Sequence, residues 1–163
     1  MTKLTAVGLT IAFISAMSVP AAAAWDLSVD EDPLEDTKIA YISEVGSGAV
    51  AAFKCWENQP DETLFMLITM SPYDASADYK DEFEVIVRVD KGEKSTIVMR
   101  PRDFNGRFGL VAAQGRDTGV LTFLRGVGTA KTQIALGAFN RVMTVPIKGS
   151  KKAVDGLLKA CGL

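Results

Sequence analysis

The chain has 163 residues, no histidine and two cysteines, and its 20 acidic and 18 basic residues leave a formal net charge of −2. The absence of histidine excludes a Ser-His-Asp or Cys-His nucleophile, a histidine general base and a histidine-containing zinc site. Carboxylates are then the side chains best suited to acid–base catalysis. The net negative charge and the export signal described next disfavour nucleic acid as a partner.

The beginning of the chain has the pattern of a cleaved secretory signal peptide, assigned to residues 1–24. A positively charged start is followed by an uncharged apolar run over residues 4–19 and by three alanines at 22–24 that suit the cleaving peptidase. An uncleaved membrane anchor is the alternative, but a spanning helix needs about 20 apolar residues. We therefore expect a periplasmic, soluble mature chain that starts at Trp25. Residues 25–163 suffice for one globular domain.

Charge is distributed unevenly along this predicted domain. Residues 25–84 carry 15 acidic and 3 basic side chains, whereas residues 85–163 carry 5 acidic and 14 basic ones. If folding mixes the two halves, their charges offset each other across one surface. If a basic face persists, it will attract an anionic partner in a salt-dependent way.

Short apolar segments separated by turns predict a mainly β fold, either an antiparallel β-sandwich or a curved sheet, with one C-terminal α-helix. The segments with strand character are residues 25–28, 37–44, 50–56, 63–70, 83–90, 95–99, 108–111, 132–138 and 141–147. Residues 63–70 are almost continuously apolar, which predicts a central strand covered on both faces. Residues 102–115 are interpreted as a long loop around the short strand 108–111.

Two helices are expected towards the end of the chain. A short one lies near residues 117–126, where Asp117 can cap the N-terminus and Gly126 can end the helix. The C-terminal helix is expected to be capped by Ser150. Its apolar positions recur at the spacing of one helix face and are Val154, Leu157, Leu158 and Cys161.

Cys55 and Cys161 are predicted to form a disulfide. Export leads to an oxidising compartment, no third cysteine competes, and both residues lie on apolar faces of predicted elements. The bridge would fix the C-terminal helix to the strand that contains Cys55, with the two Cα atoms within about 7 Å. Paired thiols supply neither a nucleophile nor a metal site.

Four arginines in one glycine-containing stretch form the candidate ligand-binding segment. Phe104 and Phe108 lie between them, and guanidinium groups bind phosphate or carboxylate bidentately. The alternative is a basic loop that balances the acidic half of the chain. The four candidates are Arg100, Arg102, Arg107 and Arg116.

Other motifs do not predict a site. Arg88 and Asp90, two residues apart on one strand face, are interpreted as a structural pair. The acidic turn at residues 30–36 lacks the spacing of a calcium loop, and residues 126–132 lack the glycine that precedes the lysine of a phosphate loop. We expect no metal and no cofactor.

Several short segments together carry a resemblance to a known family. They are a tryptophan directly after the leader, Asp32-Pro33 with Asp36, the strand ending in Cys55, residues 87–90, and the closing Gly149, Leu157 and Ala160-Cys161. In these features the chain resembles periplasmic type VI secretion-associated proteins of the VasI/TagO group, or a related exported protein. The resemblance implies a small accessory protein that assists a contractile secretion apparatus at the cell envelope.

Three functions are compatible with these features. The leading hypothesis is a non-enzymatic periplasmic protein that binds a protein or an anionic envelope component through a sheet face or the arginine segment. A second is a carboxylate-dependent hydrolase that acts on envelope glycans. A third is an inhibitor of an envelope hydrolase that inserts the loop at residues 71–81 as a plug.

Overall fold

The computed structural model of the protein describes residues 24–32, 36–116 and 119–163. The predicted signal peptide up to residue 23, Pro33 of the acidic turn and the predicted cap Asp117 lie outside the described residues. Nine strands and two helices occur in the described ranges. In chain order they are β1 (Asp26–Asp32), β2 (Thr37–Val45), β3 (Ala49–Trp56), β4 (Gln59–Pro72), β5 (Phe83–Val89), β6 (Ser95–Phe104), β7 (Arg107–Ala113), α1 (Gly119–Thr129), β8 (Ile134–Ala138), β9 (Arg141–Val145) and α2 (Ser150–Cys161).

The strands form one curled antiparallel sheet in the order β1-β2-β3-β4-β7-β6-β5-β8-β9. This arrangement, with a short helix α1 and a C-terminal helix α2, confirms the predicted mainly β fold. No helix in the part of the chain that the structure describes has the length and apolar character needed to span a membrane.

Strand β6 changes its partner halfway along. Residues 95–99 pair with β5, and residues 100–104 pair with β7. The change falls next to Pro101, which has no N–H to donate to a ladder. Strands that pass from one part of a sheet to another at such a bend produce its corners. Arg100 therefore lies at a corner of the curled sheet.

The short strand predicted at residues 108–111 is confirmed as part of β7, but the long loop around it, over residues 102–115, is wrong, because the segment forms the β6–β7 hairpin. Its two-residue turn consists of Asn105 and Gly106, which both have positive φ (53° and 81°). An Asn-Gly pair suits such a turn, whose twist matches that of the flanking strands. The polar, arginine-rich flanks are strand residues on an exposed face.

The core lies between the inner face of the sheet and the two helices. Phe53 of β3 is at its centre, with ring centroids 5.0 Å from Phe65, 5.7 Å from Phe123 of α1 and 6.3 Å from Trp25. Such aromatic contacts add to the free energy gained by burying apolar surface. Helix α2 covers β1 and β2 with the predicted apolar stripe.

The structure confirms the disulfide between Cys55 and Cys161, whose Cα atoms are 6.1 Å apart. It joins β3 to the last residue of α2. The backbone N–H of Asn58 also donates to the carbonyl of Cys161 at 2.9 Å. The predicted cap Ser150 is wrong: Gly149 occupies the cap position with φ 79°, and no side chain caps the helix. Glycine adopts this left-handed backbone without a steric penalty.

Trp25, the predicted first residue of the mature chain, belongs to the folded domain. Its side chain is buried, and its indole Nε1 donates to the carbonyl of Pro146 at 2.8 Å. Its backbone N–H donates to the carbonyl of Lys148 at 3.1 Å. The beginning of β1 is thus attached to the segment that connects β9 with α2.

Candidate functional site

A groove of about 670 Å³ lies on the face of the sheet opposite the helices. Side chains alternate between the two faces of a strand. Phe53 and Phe65 point to the helices, so their neighbours Lys54 and Leu64 point to the outer face, where they line this groove. We call it the outer groove.

The floor of the outer groove is apolar. Leu64 and Met66 of β4 lie opposite Ala113 and Val111 of β7 in the register of the sheet. All four line the groove, and only Met66 is classed as buried. The prediction that the strand at residues 63–70 is covered on both faces is therefore wrong. The helices cover one face, and on the other face Leu64 remains partly exposed although Met66 is buried by its neighbours.

Cationic side chains stand along both sides of this floor. Lys54 of β3 is paired with Leu64, and Arg100 of β6 is paired with Val111. Three strand spacings separate β3 from β6, which is about 14 Å measured along the curled sheet. Arg102 follows on the β6 side, in register with Gly109.

One end of the groove carries charges of both signs. The backbone N–H of Gly115 donates to the carbonyl of Asp61 at 2.9 Å, which holds the turn after β7 against the beginning of β4. This contact places Arg116 beside Asp61 and Glu62, and all three are exposed. A ligand in the groove thus meets a mixed environment here and a more purely cationic one along β6.

Phe104 lines the groove further along β6. Its ring lies so close to Gly109 that a Cβ atom on this glycine would be 2.6 Å from ring atom Cδ2 and 3.0 Å from the carbonyl of Leu67. Any larger residue at position 109 would displace the ring or the backbone of β4. Gly109 therefore allows an aromatic wall at this point of the groove.

The cationic side chains of the groove differ in whether they already interact with another side chain. Arg100 forms an ion pair with Glu82, and the Lys54 ammonium lies 4.4 Å from the centre of the Trp56 ring. Within the described ranges, the side chains of Arg102 and Arg116 form no ion pair and no hydrogen bond. These two exposed guanidinium groups are the ones most available to an anionic ligand.

The fourth predicted arginine lies outside the groove. Arg107 begins β7 and donates from Nη1 to the carbonyl of Met70 at 3.2 Å. The structure thus brings together three of the four candidates and adds Lys54 and the apolar floor, which sequence reasoning missed. The almost continuous apolar run in residues 63–70 could have indicated the floor, since it places apolar side chains on the outer face of the strand as well as on the inner one.

Arg88 and Asp90 do not pair with each other. Arg88 donates to the carbonyl of Gly92 at 2.9 Å, whereas Asp90 follows the end of β5 with φ 53° and no longer shares the face of Arg88. The hydrogen bonds to Asp90 hold the pKa of its carboxyl well below the ordinary value. Their backbone donors, in decreasing order of effect, are Gln133, Thr132 and Lys131. Asp90 thereby fixes the turn between α1 and β8.

Catalytic carboxylates were considered as the alternative site. Glu44 is buried on the inner face, where burial raises the pKa of its carboxyl despite a 2.8 Å hydrogen bond from the Val45 N–H. Its atom Oε2 has no hydrogen-bond partner among the described residues. It lies on the other side of the sheet from the outer groove. No cluster of three or more potential metal ligands occurs in the described ranges.

The loop at residues 71–81 folds back onto the sheet. Tyr73 and Tyr79 are stacked with centroids 5.4 Å apart, and Tyr79 is 4.8 Å from Phe108. The Tyr79 hydroxyl accepts a hydrogen bond from the backbone N–H of Asp74 at 3.1 Å. The loop is therefore anchored by its aromatic side chains, which would first have to detach for it to act as a plug.

Comparison of the chain with models of known protein families, with curated proteins and with solved structures gives no match.

Proposed function

We propose that this protein is a non-enzymatic, exported binding protein that holds an acidic, amphipathic segment of a partner protein in the outer groove. The observation that carries the proposal is the arrangement of Lys54, Arg100, Arg102 and Arg116 around an apolar floor that the described chain leaves open. A ligand that combines an apolar strip with flanking carboxylates complements both features.

The floor and the cations have different effects on binding. Apolar contact with Leu64, Val111 and Ala113 contributes about 25 cal/mol for each Å² removed from water. Exposed ion pairs contribute only about 0–1 kcal/mol each, so Arg102 and Arg116 mainly select anionic partners and accelerate association. Both residues are exposed, and binding a carboxylate costs them little desolvation.

The width of the groove favours a helical segment. A helix with its side chains is about 10–12 Å across, comparable to the distance of about 14 Å along the sheet from β3 to β6, so a helix that lies over the floor approaches the cations on both sides. Its apolar face can then lie on the floor while acidic residues on its two flanks reach Lys54 on one side and Arg100 or Arg102 on the other. A single extended strand would approach only one side at a time.

The cellular setting rests on the sequence. The leader pattern and the disulfide agree with folding in an oxidising compartment such as the periplasm. The resemblance to type VI secretion-associated proteins suggests that the partner belongs to an envelope secretion apparatus. A protein that contributes a docking groove and no chemistry suits such an accessory role.

The test uses a synthetic helical peptide with a leucine stripe flanked by glutamates, and an otherwise identical peptide with lysines in place of the glutamates. We expect the acidic peptide alone to bind, and its affinity to fall steeply with salt because exposed charges are screened over about 8 Å at physiological ionic strength. The double variant Arg102→Ala/Arg116→Ala should bind roughly tenfold more weakly, since each exposed pair is worth somewhat under 1 kcal/mol.

Arg125→Ala is the matched control, because Arg125 is an exposed arginine on α1, on the other side of the sheet. Equal binding of the acidic and basic peptides would refute the proposed function, as would an equal effect of the control variant. Binding to anionic phospholipid vesicles without binding to the acidic peptide would replace the partner protein by a membrane surface.

A further inference from the structure

A second cavity, independent of the outer groove, lies at a seam where β9 faces the β2–β3 turn and the ends of β4 and β7. At this seam the backbone N–H of Ser47 donates to the carbonyl of Thr144 at 3.1 Å, and the Thr144 N–H donates to Ser47 Oγ at 3.0 Å. A Cβ atom on Gly46 would be 2.7 Å from the same carbonyl, so this close approach requires glycine. Beside the contact, β9 pairs only with β8, and a cavity of about 330 Å³ separates it from β4 and β7.

The inner wall of this seam cavity is formed by residues of the core. Phe108 and Met143 line it although they are only 7% and 8% exposed, and Ala138 lies between them in chain order at 6%. The cavity is therefore an opening into the apolar interior of the domain. A ligand there would bury its apolar part against side chains that are already held in place.

Phe139 adds an aromatic wall in a strained position. It forms the two-residue turn of the β8–β9 hairpin with Asn140, and both have positive φ (52° and 56°). Asparagine tolerates this conformation, whereas a bulky residue rarely adopts it. The Phe139 ring contacts Phe83 and Phe108 at 5.5 and 5.6 Å, yet 42% of the residue stays exposed. Strain of this kind concentrates at ligand-binding positions.

The outer edge of the seam cavity is polar. Arg141 is exposed, lines the cavity, and forms no ion pair or hydrogen bond through its side chain within the described part of the chain. Ser71 stands across the cavity, and its backbone N–H donates to Thr69 Oγ1 at 3.2 Å. A guanidinium group without a partner binds a carboxylate bidentately.

We propose that the seam cavity binds a small apolar carboxylate with a single chain. Its apolar body lies against Phe108, Phe139 and Met143, and its carboxylate pairs with Arg141. The volume of about 330 Å³ is at the lower end of the range of small-molecule sites, which suits a single medium-length chain and leaves no space for a two-chain lipid.

The test is a titration of the purified protein with decanoate, compared with decanol and decyltrimethylammonium, followed by amide chemical shifts in NMR spectra. We expect decanoate to bind most tightly and to shift the amides of residues 138–143 and 69–71 while leaving those of Lys54 and Arg102 unchanged. Arg141→Ala should weaken decanoate binding about three- to fivefold and remove its advantage over decanol. Arg125→Ala is the charge-matched control and should change neither.

The variant Phe139→Gly tests whether the aromatic ring contributes to binding apart from any role in folding. Glycine adopts the positive φ without strain, so the variant should keep the amide spectrum of the folded domain and bind decanoate more weakly. Unchanged binding by Arg141→Ala or Phe139→Gly would overturn the proposal, as would shifts confined to the outer groove or no saturable binding at millimolar decanoate. None of these results would bear on binding of the acidic peptide in the outer groove.

Discussion

The disulfide should contribute a large share of the stability of this domain, and the double variant Cys55→Ser/Cys161→Ser measures that share. The two cysteines are 106 residues apart in the chain. Closing a loop of this length in the unfolded chain corresponds to about 4–5 kcal/mol in the chain-entropy model. Replacing both cysteines avoids a free thiol, which could pair with another molecule.

Other contacts of α2 remain when the disulfide is removed, so the variant loses only part of its stability. Val154 and Leu157 stay buried against the sheet, and each fully buried side chain of this size contributes about 1.5–3 kcal/mol. A small domain has a net stability of about 5–15 kcal/mol. We therefore expect the variant to remain folded at 25 °C with a small margin, and α2 to become the segment that opens most easily.

Urea unfolding of the oxidised protein, the reduced protein and the serine variant gives the free energies directly. Reduction and substitution should lower the free energy of unfolding by similar amounts, and hydrogen exchange should accelerate most in α2. A loss below about 1 kcal/mol would refute the entropic argument. Uniform acceleration of exchange over the whole sheet would show that α2 is not a separate unit of opening.

Two further predictions concern pH and have opposite signs. Hydrogen bonds lower the pKa of Asp90, so the stability that this carboxylate contributes is present above the ordinary pKa of 3.8 and is lost as the pH falls further. Asp90→Asn should therefore lower the urea midpoint at pH 7 but not in strong acid. Asp78→Asn, which changes an exposed aspartate, is the control and should have little effect. Burial raises the pKa of Glu44 above 4.5, so the folded chain binds the extra proton and loses stability as the pH rises through the raised value. Glu44→Gln should remove this loss and unfold at higher urea than the wild type at pH 7, with Glu93→Gln as the exposed control; an unchanged midpoint at pH 7 would contradict it.

Local patterns in the sequence were sufficient for most of the fold. Short-range spacing of apolar residues is enough to predict strand β5 (Phe83–Val89) and the buried stripe of α2. The disulfide could be predicted because two cysteines can pair in only one way. The β6–β7 hairpin was missed although its Asn105-Gly106 turn is a strong signal, because arginines and a proline made its flanks look like a loop.

The outer groove could be predicted only in part, because it depends on long-range register. Three of its arginines lie within one stretch of sequence, but Lys54 meets them only because β4 and β7 lie between β3 and β6. A continuous apolar strand also has two explanations, burial on both faces or an open binding surface. The two cannot be distinguished until the positions of the helices are known.

The attachment of Trp25 to Pro146 and Lys148 sets the time at which the domain can close. The indole and its acceptor are 121 residues apart, so this attachment of the first strand must wait for almost the whole chain. At a synthesis rate of about 5–20 residues per second, the wait is about 6–24 s. Throughout this time the inner face of the sheet lacks α2, which follows Pro146 in the chain. The contacts that join the beginning of the domain to its end, this one and the disulfide, therefore form only when nearly the whole chain is available.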